Sequence, residues 1–335
     1  MNIIIPMAGM GKRMRPHTLT TAKPLIPIAG KPVVKRLIED IMSTCNQKVE
    51  NIAFITNPLF GAATEQLLLD VAQNLGAKGH ICYQNEALGT AHAILCAKEF
   101  LKDNVFIAFA DTLFKAVFTI DAQKDAIIWT QKVEDPSAFG VVQLDEAGRI
   151  TAFVEKPKDF VSDLAIIGVY YFKDGQNLRS ELEYLLDNNI MTKGEYQLTD
   201  AMENMRSKNI AFYCDQVEEW LDCGNKDATV FTNQRILEIK KDTEALVSSS
   251  AIIENSTIIA PCFIGEGVVI KNSVIGPHVS LEKDSKVEGS LIANAIIQEG
   301  AQLKKVNLEN SMVGKYVDYE ECSKALSLGD YSYLS

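Results

Sequence analysis

The sequence predicts an α/β protein in two parts, a mostly parallel sheet covered by helices followed by a parallel β-helix. In residues 1–241, short apolar runs alternate with segments of helical periodicity. Beyond residue 250, an aliphatic residue recurs every five or six positions, as in hexapeptide repeats. A glycine-rich, basic stretch directly after the first apolar run indicates a phosphate site.

The first part is expected to be a Rossmann-like domain. Strands are predicted at residues 3–5, 51–56, 80–84, 105–109 and 126–130, and helices at 33–42, 64–75 and 225–241. Because strands that alternate with helices require right-handed crossovers, the sheet should be mostly parallel and covered on both faces. Ligands of such sheets bind at the carboxyl ends of the strands, so we expect the site there.

The second part is expected to be a left-handed parallel β-helix. Its recurring aliphatic positions are Ile258, Ile264, Ile270, Ile275, Leu281, Val287, Ile292, Ile297, Leu303, Leu308 and Val313. Each repeat supplies one short strand and three strands make a coil, so roughly four coils are predicted. The predicted divisions are 1–241 for the first domain, 242–250 for a linker, 251–322 for the β-helix and 323–335 for a C-terminal tail.

Composition and charge exclude several classes of protein. The 335-residue chain is 47% hydrophobic and 23% charged, and its net charge of −11 includes no basic stripe, so a nucleic-acid partner is not expected. No apolar run reaches the roughly 18 residues of a membrane span, and the short apolar start is interpreted as a strand rather than a signal sequence. Seven scattered cysteines without a C-x-x-C pair indicate reduced thiols and a cytoplasmic protein.

The basic stretch contains Gly9, Gly11, Lys12 and Arg13, with Lys23 a few residues later. Glycines let backbone N–H groups approach a phosphate, and several nearby cations suit a polyphosphate. A glycine turn with solvated basic residues would give the same pattern, because G-x-G alone is a weak signal. A dinucleotide-binding oxidoreductase is excluded, since the third glycine is missing and the second predicted strand does not end in an acidic residue.

A series of segments resembles the motifs of the sugar-1-phosphate nucleotidyltransferases over almost the whole chain. The signature of that family is matched by AGMGKRMRPHT at 8–18 and KPLIP at 23–27, although Lys12 replaces a small hydroxyl residue. Further segments match in the family's order: QNEALGTA (84–91), ADTLF (110–114), FGVV (139–142), FVEKP (153–157), AIIGVYYF (165–172), GEYQLTDA (194–201) and EWLDCGN (219–225). Ala110, Thr112, Cys223 and Asn225 depart from the common residues.

The resemblance implies an enzyme that transfers a nucleotidyl group from an NTP to a sugar-1-phosphate, giving an NDP-sugar and pyrophosphate. It assigns nucleotide binding to Ala8, Gly9, Gly11, Lys12, Gln84, Gly89 and Thr90, and catalytic contacts with the phosphates to Arg13 and Lys23. It assigns the sugar phosphate to Gly140, Glu155, Lys156, Gly168 and Thr199, and a Mg²⁺ cofactor to Asp111 and Asp222. A carboxylate that ends a buried strand, as Asp111 does, also suits Mg²⁺ on chemical grounds.

The identity of the substrates depends mainly on Gln84. A glutamine amide offers a donor and an acceptor, which fits the O4/N3 edge of uracil or thymine, so we expect dTTP or UTP with glucose-1-phosphate. An amide that only bonds to the local backbone is the alternative for Gln84. For the chain, GTP, an N-acetylglucosamine or mannose type of sugar phosphate, and a catalytically silent regulatory homologue stay open.

Three smaller predictions concern the surroundings of the site. His92, on the helix that follows Gly89, is expected to be a structural histidine with satisfied hydrogen bonds. The pair Thr199-Asp200 suits a helix N-cap. The β-helix is expected to pack against neighbouring subunits, which makes a homo-oligomer the expected assembly.

Overall fold

The computed structural model describes residues 1–44, 46–116 and 120–322, and the predicted tail 323–335 therefore lies outside the described residues. The chain divides into two units, one of residues 1–26 and 31–229 and one of residues 27–30 and 230 onward. Because this division falls inside a helix rather than in a linker, the domain boundaries given above stay predictions. Among the described residues, no helix is long and apolar enough to cross a membrane.

The elements up to Lys240 alternate much as predicted. In chain order they are β1 (Asn2–Pro6), β2 (Pro27–Ile28), β3 (Lys31–Pro32), α1 (Val33–Thr44), β4 (Asn51–Thr56), α2 (Ala62–Asn74), β5 (Lys78–Tyr83), α3 (Thr90–Leu95), β6 (Val105–Ala108), β7 (Thr112–Lys115), β8 (Ala126–Lys132), β9 (Gly140–Leu144), β10 (Ile150–Glu155), β11 (Leu164–Phe172), α4 (Gly175–Asp187), α5 (Leu198–Ser207), β12 (Phe212–Gln216), β13 (Glu219–Asp222) and α6 (Lys226–Lys240). The N-cap of α5 is Gln197, so the prediction of an N-cap at Thr199-Asp200 was wrong and both residues lie in the first turn.

The described residues of the first unit form a nine-stranded sheet. Its main path is β10-β9-β11-β6-β1-β4-β5, and β8 pairs with β11 and β12. Strands β6, β1, β4 and β5 are parallel, which confirms the predicted α/β class, whereas β11 runs antiparallel to β6, β8 and β9. The run Ile3–Ile5 is fully buried, as expected for a central strand that helices cover on both faces.

The second unit contains three parallel sheets that stack coil upon coil. Their strands are β14 (Ile252–Glu254), β15 (Thr257–Ile258), β16 (Phe263–Ile264), β17 (Val269–Lys271), β18 (Val274–Ile275), β19 (Val279–Leu281), β20 (Lys286–Glu288), β21 (Leu291–Ile292), β22 (Ala295–Ile297), β23 (Gln302–Lys304), β24 (Asn307–Leu308), β25 (Ser311–Val313) and β26 (Asp318–Glu320). The sheet orders are β14-β17-β20-β23-β26, β15-β18-β21-β24 and β16-β19-β22-β25. This architecture agrees with the predicted left-handed β-helix.

The repeating aliphatic residues form the interior of the β-helix. Ile270 pairs with Val287, and Ile264 pairs with Leu281 in the neighbouring sheet, with each of these side chains at most 1% exposed. One corner of every coil has a positive φ, as at Asn255 with a φ of 45°, because the chain must turn sharply there. The hexapeptide periodicity therefore predicted both the strands and the stacked core.

Within the second unit, a buried asparagine of α6 bonds to the loop 27–30. Asn233 Oδ1 accepts from Ala29 N at 2.9 Å and from Ser280 Oγ at 2.7 Å, while its Nδ2 donates to His278 O at 3.4 Å. Gly30 N donates to Glu282 Oε1 at 3.2 Å, so the loop is attached to the β-helix at two successive backbone positions.

Candidate active site

The glycine-rich stretch forms a tight turn directly after β1. Gly11 has a φ of 59°, and a Cβ there would lie 2.9 Å from Lys23 Cβ, so a side chain at this position would displace Lys23. The Thr18 hydroxyl donates to Gly11 O at 2.8 Å and holds the turn. Gly9 borders open space, and the turn therefore leaves room for a ligand beside its backbone.

This turn borders a cavity of about 260 Å³ at the carboxyl ends of β1, β5 and β6. Six of the predicted nucleotide-binding residues line it: Ala8, Gly9, Gly11, Gln84, Gly89 and Thr90. Lys23 and Asp111 line it as well, whereas Lys12 is not among the described residues that line either cavity of the site. We refer to this space as the nucleotide cavity.

Gln84 and Gly89 lie side by side in the wall of the nucleotide cavity. Gln84 is 8% exposed, and its Nε2 donates to Gly89 O at 3.3 Å and lies 3.1 Å from His92 Nδ1. Gly89 has a φ of 111°, and a Cβ there would lie 2.4 Å from Tyr196 O. The close approach of these two backbone segments therefore requires glycine.

Asp111 and Asp222 come together through the short antiparallel pair β7–β13. In that pair Thr112 is the partner of Asp222, and Cys223 N donates to Asp111 O at 2.9 Å. The two aspartates are therefore neighbours across the ladder, although they lie far apart in the sequence. Lys23 Nζ contacts Asp111 Oδ2 at 2.5 Å, which places a cation at the same point.

The electrostatic environment of Asp222 disfavours an uncompensated negative charge. Burial raises the pKa of the Asp222 carboxyl, and the charge of Asp111 raises this pKa further. Lys23, the Gly224 N–H at 3.0 Å and Arg13 oppose that shift without cancelling it. The paired carboxylates therefore form a place where an additional cation would be stabilised.

The donor atoms at this point fit Mg²⁺. Both Asp111 and Asp222 offer hard carboxylate oxygens, and Mg²⁺ usually keeps several waters and takes one or two protein carboxylates together with substrate phosphates. Clusters of three or more His, Cys, Asp or Glu side chains that could enclose a metal are absent from residues 1–44, 46–116 and 120–322. The pair therefore suits a metal that is shared with a phosphate ligand rather than a metal enclosed by protein.

A second cavity of about 350 Å³ adjoins the aspartate pair, and we refer to it as the sugar cavity. It is lined by all five residues predicted for the sugar phosphate, namely Gly140, Glu155, Lys156, Gly168 and Thr199, and by Arg13, Asp111 and Asp222. The two cavities have Asp111 in common. The structure thus brings together every predicted site residue except Lys12 around two adjoining spaces.

Glu155 is the central polar group of the sugar cavity. Its Oε2 accepts from Thr199 Oγ1 at 3.3 Å, and its Oε1 lies 3.2 Å from Lys156 Nζ. A Cβ at Gly140 would lie 3.1 Å from Glu155 Oε2, so a larger residue there would crowd the carboxylate. Lys193 Nζ donates to Lys156 O at 2.8 Å and fixes the end of β10.

Several residues that line the site were not among those predicted from the sequence. Glu195 borders both cavities, and its Oε2 accepts from Gln197 Nε2 at 3.0 Å. Phe139 and Trp220 also line the sugar cavity, where their rings meet edge to face with centroids 5.0 Å apart. These residues lie within segments that were recognised, so membership of the motifs that carry Gly140, Thr199 and Asp222 was the available signal.

Comparison with known families agrees with this arrangement. Residues 2–239 match the family model described as Nucleotidyl transferase. The chain therefore belongs to the nucleotidyl transferase family of enzymes, which confirms the resemblance stated above.

Individual relatives are similar over long stretches. Glucose-1-phosphate thymidylyltransferase of Streptomyces griseus is 28% identical over 99% of this chain and 98% of its own length. The low-salt glycan biosynthesis nucleotidyltransferase Agl11 of Haloferax volcanii is 30% identical over 93% of this chain and 92% of its own. The bifunctional protein GlmU of Methanococcus maripaludis is 32% identical over 81% of this chain and 62% of its own.

A solved structure shows the same fold. The crystal structure of UDP-glucose pyrophosphorylase complexed with UDP-glucose aligns with a TM-score of 0.57, covering 71% of this chain and 98% of that one. At 23% sequence identity this likeness concerns the fold alone.

Proposed function

We propose that this chain transfers a nucleotidyl group from dTTP or UTP to a sugar-1-phosphate, with glucose-1-phosphate as the expected acceptor. The observation that carries the proposal is the junction of the two cavities, where Asp111, Asp222, Lys23 and Arg13 meet. A nucleoside triphosphate in the first cavity and a sugar phosphate in the second would place their phosphates at this junction.

The reaction needs positioning and charge neutralisation rather than a general base. An oxygen of the sugar phosphate, already anionic, attacks the α-phosphorus; a new P–O bond forms, the bond to the β-phosphate bridge breaks and pyrophosphate leaves with the electron pair. Lys23 and Arg13 would neutralise the triphosphate, and Lys156 would hold the sugar phosphate. Mg²⁺ bound by Asp111 and Asp222 would supply further positive charge to the α-phosphate oxygens.

The preference for a pyrimidine rests on the surroundings of Gln84. This nearly buried amide lines the nucleotide cavity, and a base that left it unpaired would be rejected strongly. Two relatives, which are 28% and 29% identical in sequence to this chain, are glucose-1-phosphate thymidylyltransferases, and this supports the choice of acceptor.

A pyrophosphate-release assay over a matrix of NTPs and sugar-1-phosphates tests the proposal. We expect dTTP or UTP with glucose-1-phosphate to give the highest kcat/KM. GTP or ATP as the best donor would overturn the assignment of Gln84, and another sugar phosphate as the best acceptor would overturn only the choice of sugar. Turnover with no pair of substrates would favour a catalytically silent homologue.

A further inference from the structure

The hydrogen bonds of Gln84 fix which end of its amide faces the ligand. The Gly89 carbonyl can only accept, so the amide atom beside it must be the NH₂ group. Both hydrogens of that group are used, since His92 Nδ1 lies 3.1 Å away on the other side. Within the described part of the chain Gln84 Oε1 has no donor partner, which leaves an acceptor on the side of the cavity that Gln84 lines.

We propose that His92 is a positioning residue for base recognition, which holds Gln84 with its Oε1 toward the nucleotide cavity. An acceptor there pairs with the N3–H of uracil or thymine, whereas cytosine offers an acceptor at N3 and is rejected. The contact with Gly89 O is long at 3.3 Å, so the second acceptor on His92 is what holds the amide in one orientation. This inference rests on the proposed function, because it concerns the base of that substrate.

The imidazole can play this part only as the neutral tautomer with its proton on Nε2. Burial lowers the pKa of His92, and the negative charge of Glu86 in the preceding loop partly offsets this shift. Cys96, one turn further along the same helix, donates its thiol to His92 O, and burial raises the pKa of this thiol, so it stays uncharged. His92 is therefore neutral at pH 7 and above.

Protonation of His92 would reverse the donor and acceptor arrangement between its imidazole and the Gln84 amide. Nδ1 would become a donor facing the donors of Gln84 Nε2, and the amide would have to rotate or lose the contact. A rotated amide presents NH₂ to the cavity and pairs with cytosine N3 rather than with an N3–H. Discrimination against cytosine is therefore present above the pKa of His92 and is lost as the pH falls through it, below about 6.5.

The test is the ratio of kcat/KM for UTP or dTTP to that for CTP between pH 5.5 and 8.5. This ratio cancels the titration of the phosphates, which the nucleotides share. In the wild type we expect a constant ratio above pH 7 and a fall as the pH drops through the lowered pKa of His92, reaching about tenfold, the size of one mismatched hydrogen bond, when the imidazole is fully protonated. The change should appear in the KM of the nucleotide rather than in kcat, because the base is remote from the reacting phosphorus.

Three variants separate positioning from a merely structural role. His92→Asn keeps an acceptor that does not titrate, so its ratio should stay near the wild-type value at pH 7.5 and become independent of pH. His92→Leu should lower the ratio at pH 7.5 by about tenfold. His80→Asn is the matched control, since His80 is another partly buried histidine, bonded to Asn51, and its replacement should leave the ratio and its pH dependence unchanged.

Two failures can be told apart. If the wild type does not prefer UTP or dTTP over CTP at any pH, the proposed function fails. If the preference is present but unaffected by pH and unchanged in both His92 variants, the inference about His92 is wrong and the proposed function stands. Should His92→Leu not fold, the pH profiles of the wild type and His92→Asn still decide the matter.

Discussion

At the scale of single residues, the site depends on positions where the backbone conformation and its neighbours allow only one type of residue. Gly89 shows this most clearly, because its φ of 111° and the carbonyl of Tyr196 both oppose a side chain. The backbone N–H groups around it carry that close contact, since Ala91 N donates to Tyr196 O at 2.9 Å and Tyr196 N donates to Leu88 O at 2.8 Å. This glycine therefore connects the nucleotide cavity to the loop before α5.

We expect Gly89→Ala to destabilise the protein by about 3 kcal/mol, from roughly 1–2 kcal/mol of backbone strain and 1–3 kcal/mol of overpacking. Gly76→Ala is the matched control, because Gly76 also has a positive φ, of 81°, but borders open space. Urea unfolding of both variants measures the difference. Equal stabilities would show that the contact with Tyr196 relaxes without cost.

At the scale of elements, an irregularity in β11 shapes the floor of the sugar cavity. The pairing of β11 with β8 shifts register between Ile166 and Tyr170, and Gly168 in this interval has a φ of 83°. The carbonyls exposed by the shift are satisfied locally, since Phe109 N donates to Gly168 O at 2.9 Å and Thr112 Oγ1 donates to Ile167 O at 2.8 Å. Through Thr112 the irregular part of β11 is bonded to β7, the strand that begins directly after Asp111.

Thr112→Val should cost about 1–3 kcal/mol, because it keeps the shape of the side chain and leaves the buried Ile167 carbonyl without its donor. Thr112→Ser retains the hydroxyl and should lose much less. Chemical denaturation of the two variants is the measurement. A valine variant as stable as the serine variant would mean that this hydrogen bond contributes nothing.

A comparison of the predicted strands with the observed ones shows which parts of the fold follow from the sequence alone. The strands β1, β4, β5 and β6 and the coils of the β-helix follow from local periodicity, and the structure confirms them. The strand β8 was predicted as well, but the antiparallel pairing of β8 and β9 with β11 was not, because pairing between distant strands leaves no periodic signal. For the same reason only the family resemblance could pair Asp111 with Asp222, which the β7–β13 ladder now explains.

The side chains around the site were harder to assign than the backbone. Local motifs identified Gln84 but gave His92 only a structural part, because the contact joins the end of β5 to a helix that begins several residues later. Lys12 was assigned by its place in a motif, yet it does not border the described cavities. Lys12 is therefore the one assigned residue that does not border the described cavities, although its neighbours Gly11 and Arg13 do.

At the scale of the whole molecule, the β-helix stabilises the loop 27–30, which belongs to the same unit. It holds the loop 27–30 through the Asn233 and Glu282 hydrogen bonds, and a Cβ at Gly30 would lie 2.3 Å from the Phe263 ring. None of the described residues that line the two cavities belongs to the β-helix, so we expect shortening the chain near Lys241 to affect stability and assembly and to leave the active-site residues in place. Such a chain would also leave Gly30 without Phe263 and Glu282.

Asn233→Leu should lower the free energy of unfolding by about 2–5 kcal/mol, since it removes the buried acceptor to which the Ala29 N–H and the Ser280 hydroxyl both donate. Ser280→Ala removes only one hydrogen bond of the same cluster and should cost about 1 kcal/mol. Calorimetric unfolding compares the two. If Asn233→Leu were no more destabilising than Ser280→Ala, the cluster would not hold the loop.

The aspartate pair carries the catalytic account of the whole molecule, and one measurement tests it most directly. Turnover at saturating Mg²⁺ is compared for the wild type, Asp111→Asn and Asp222→Asn, with nucleotide binding followed by calorimetry in the absence of metal. Each substitution keeps the shape and removes one hard anionic oxygen, so we expect turnover to fall by roughly 10²–10³ while the base is still bound through Gln84 and Gly89. Turnover close to the wild-type value in both variants would contradict the metal assignment and the reaction proposed for this site.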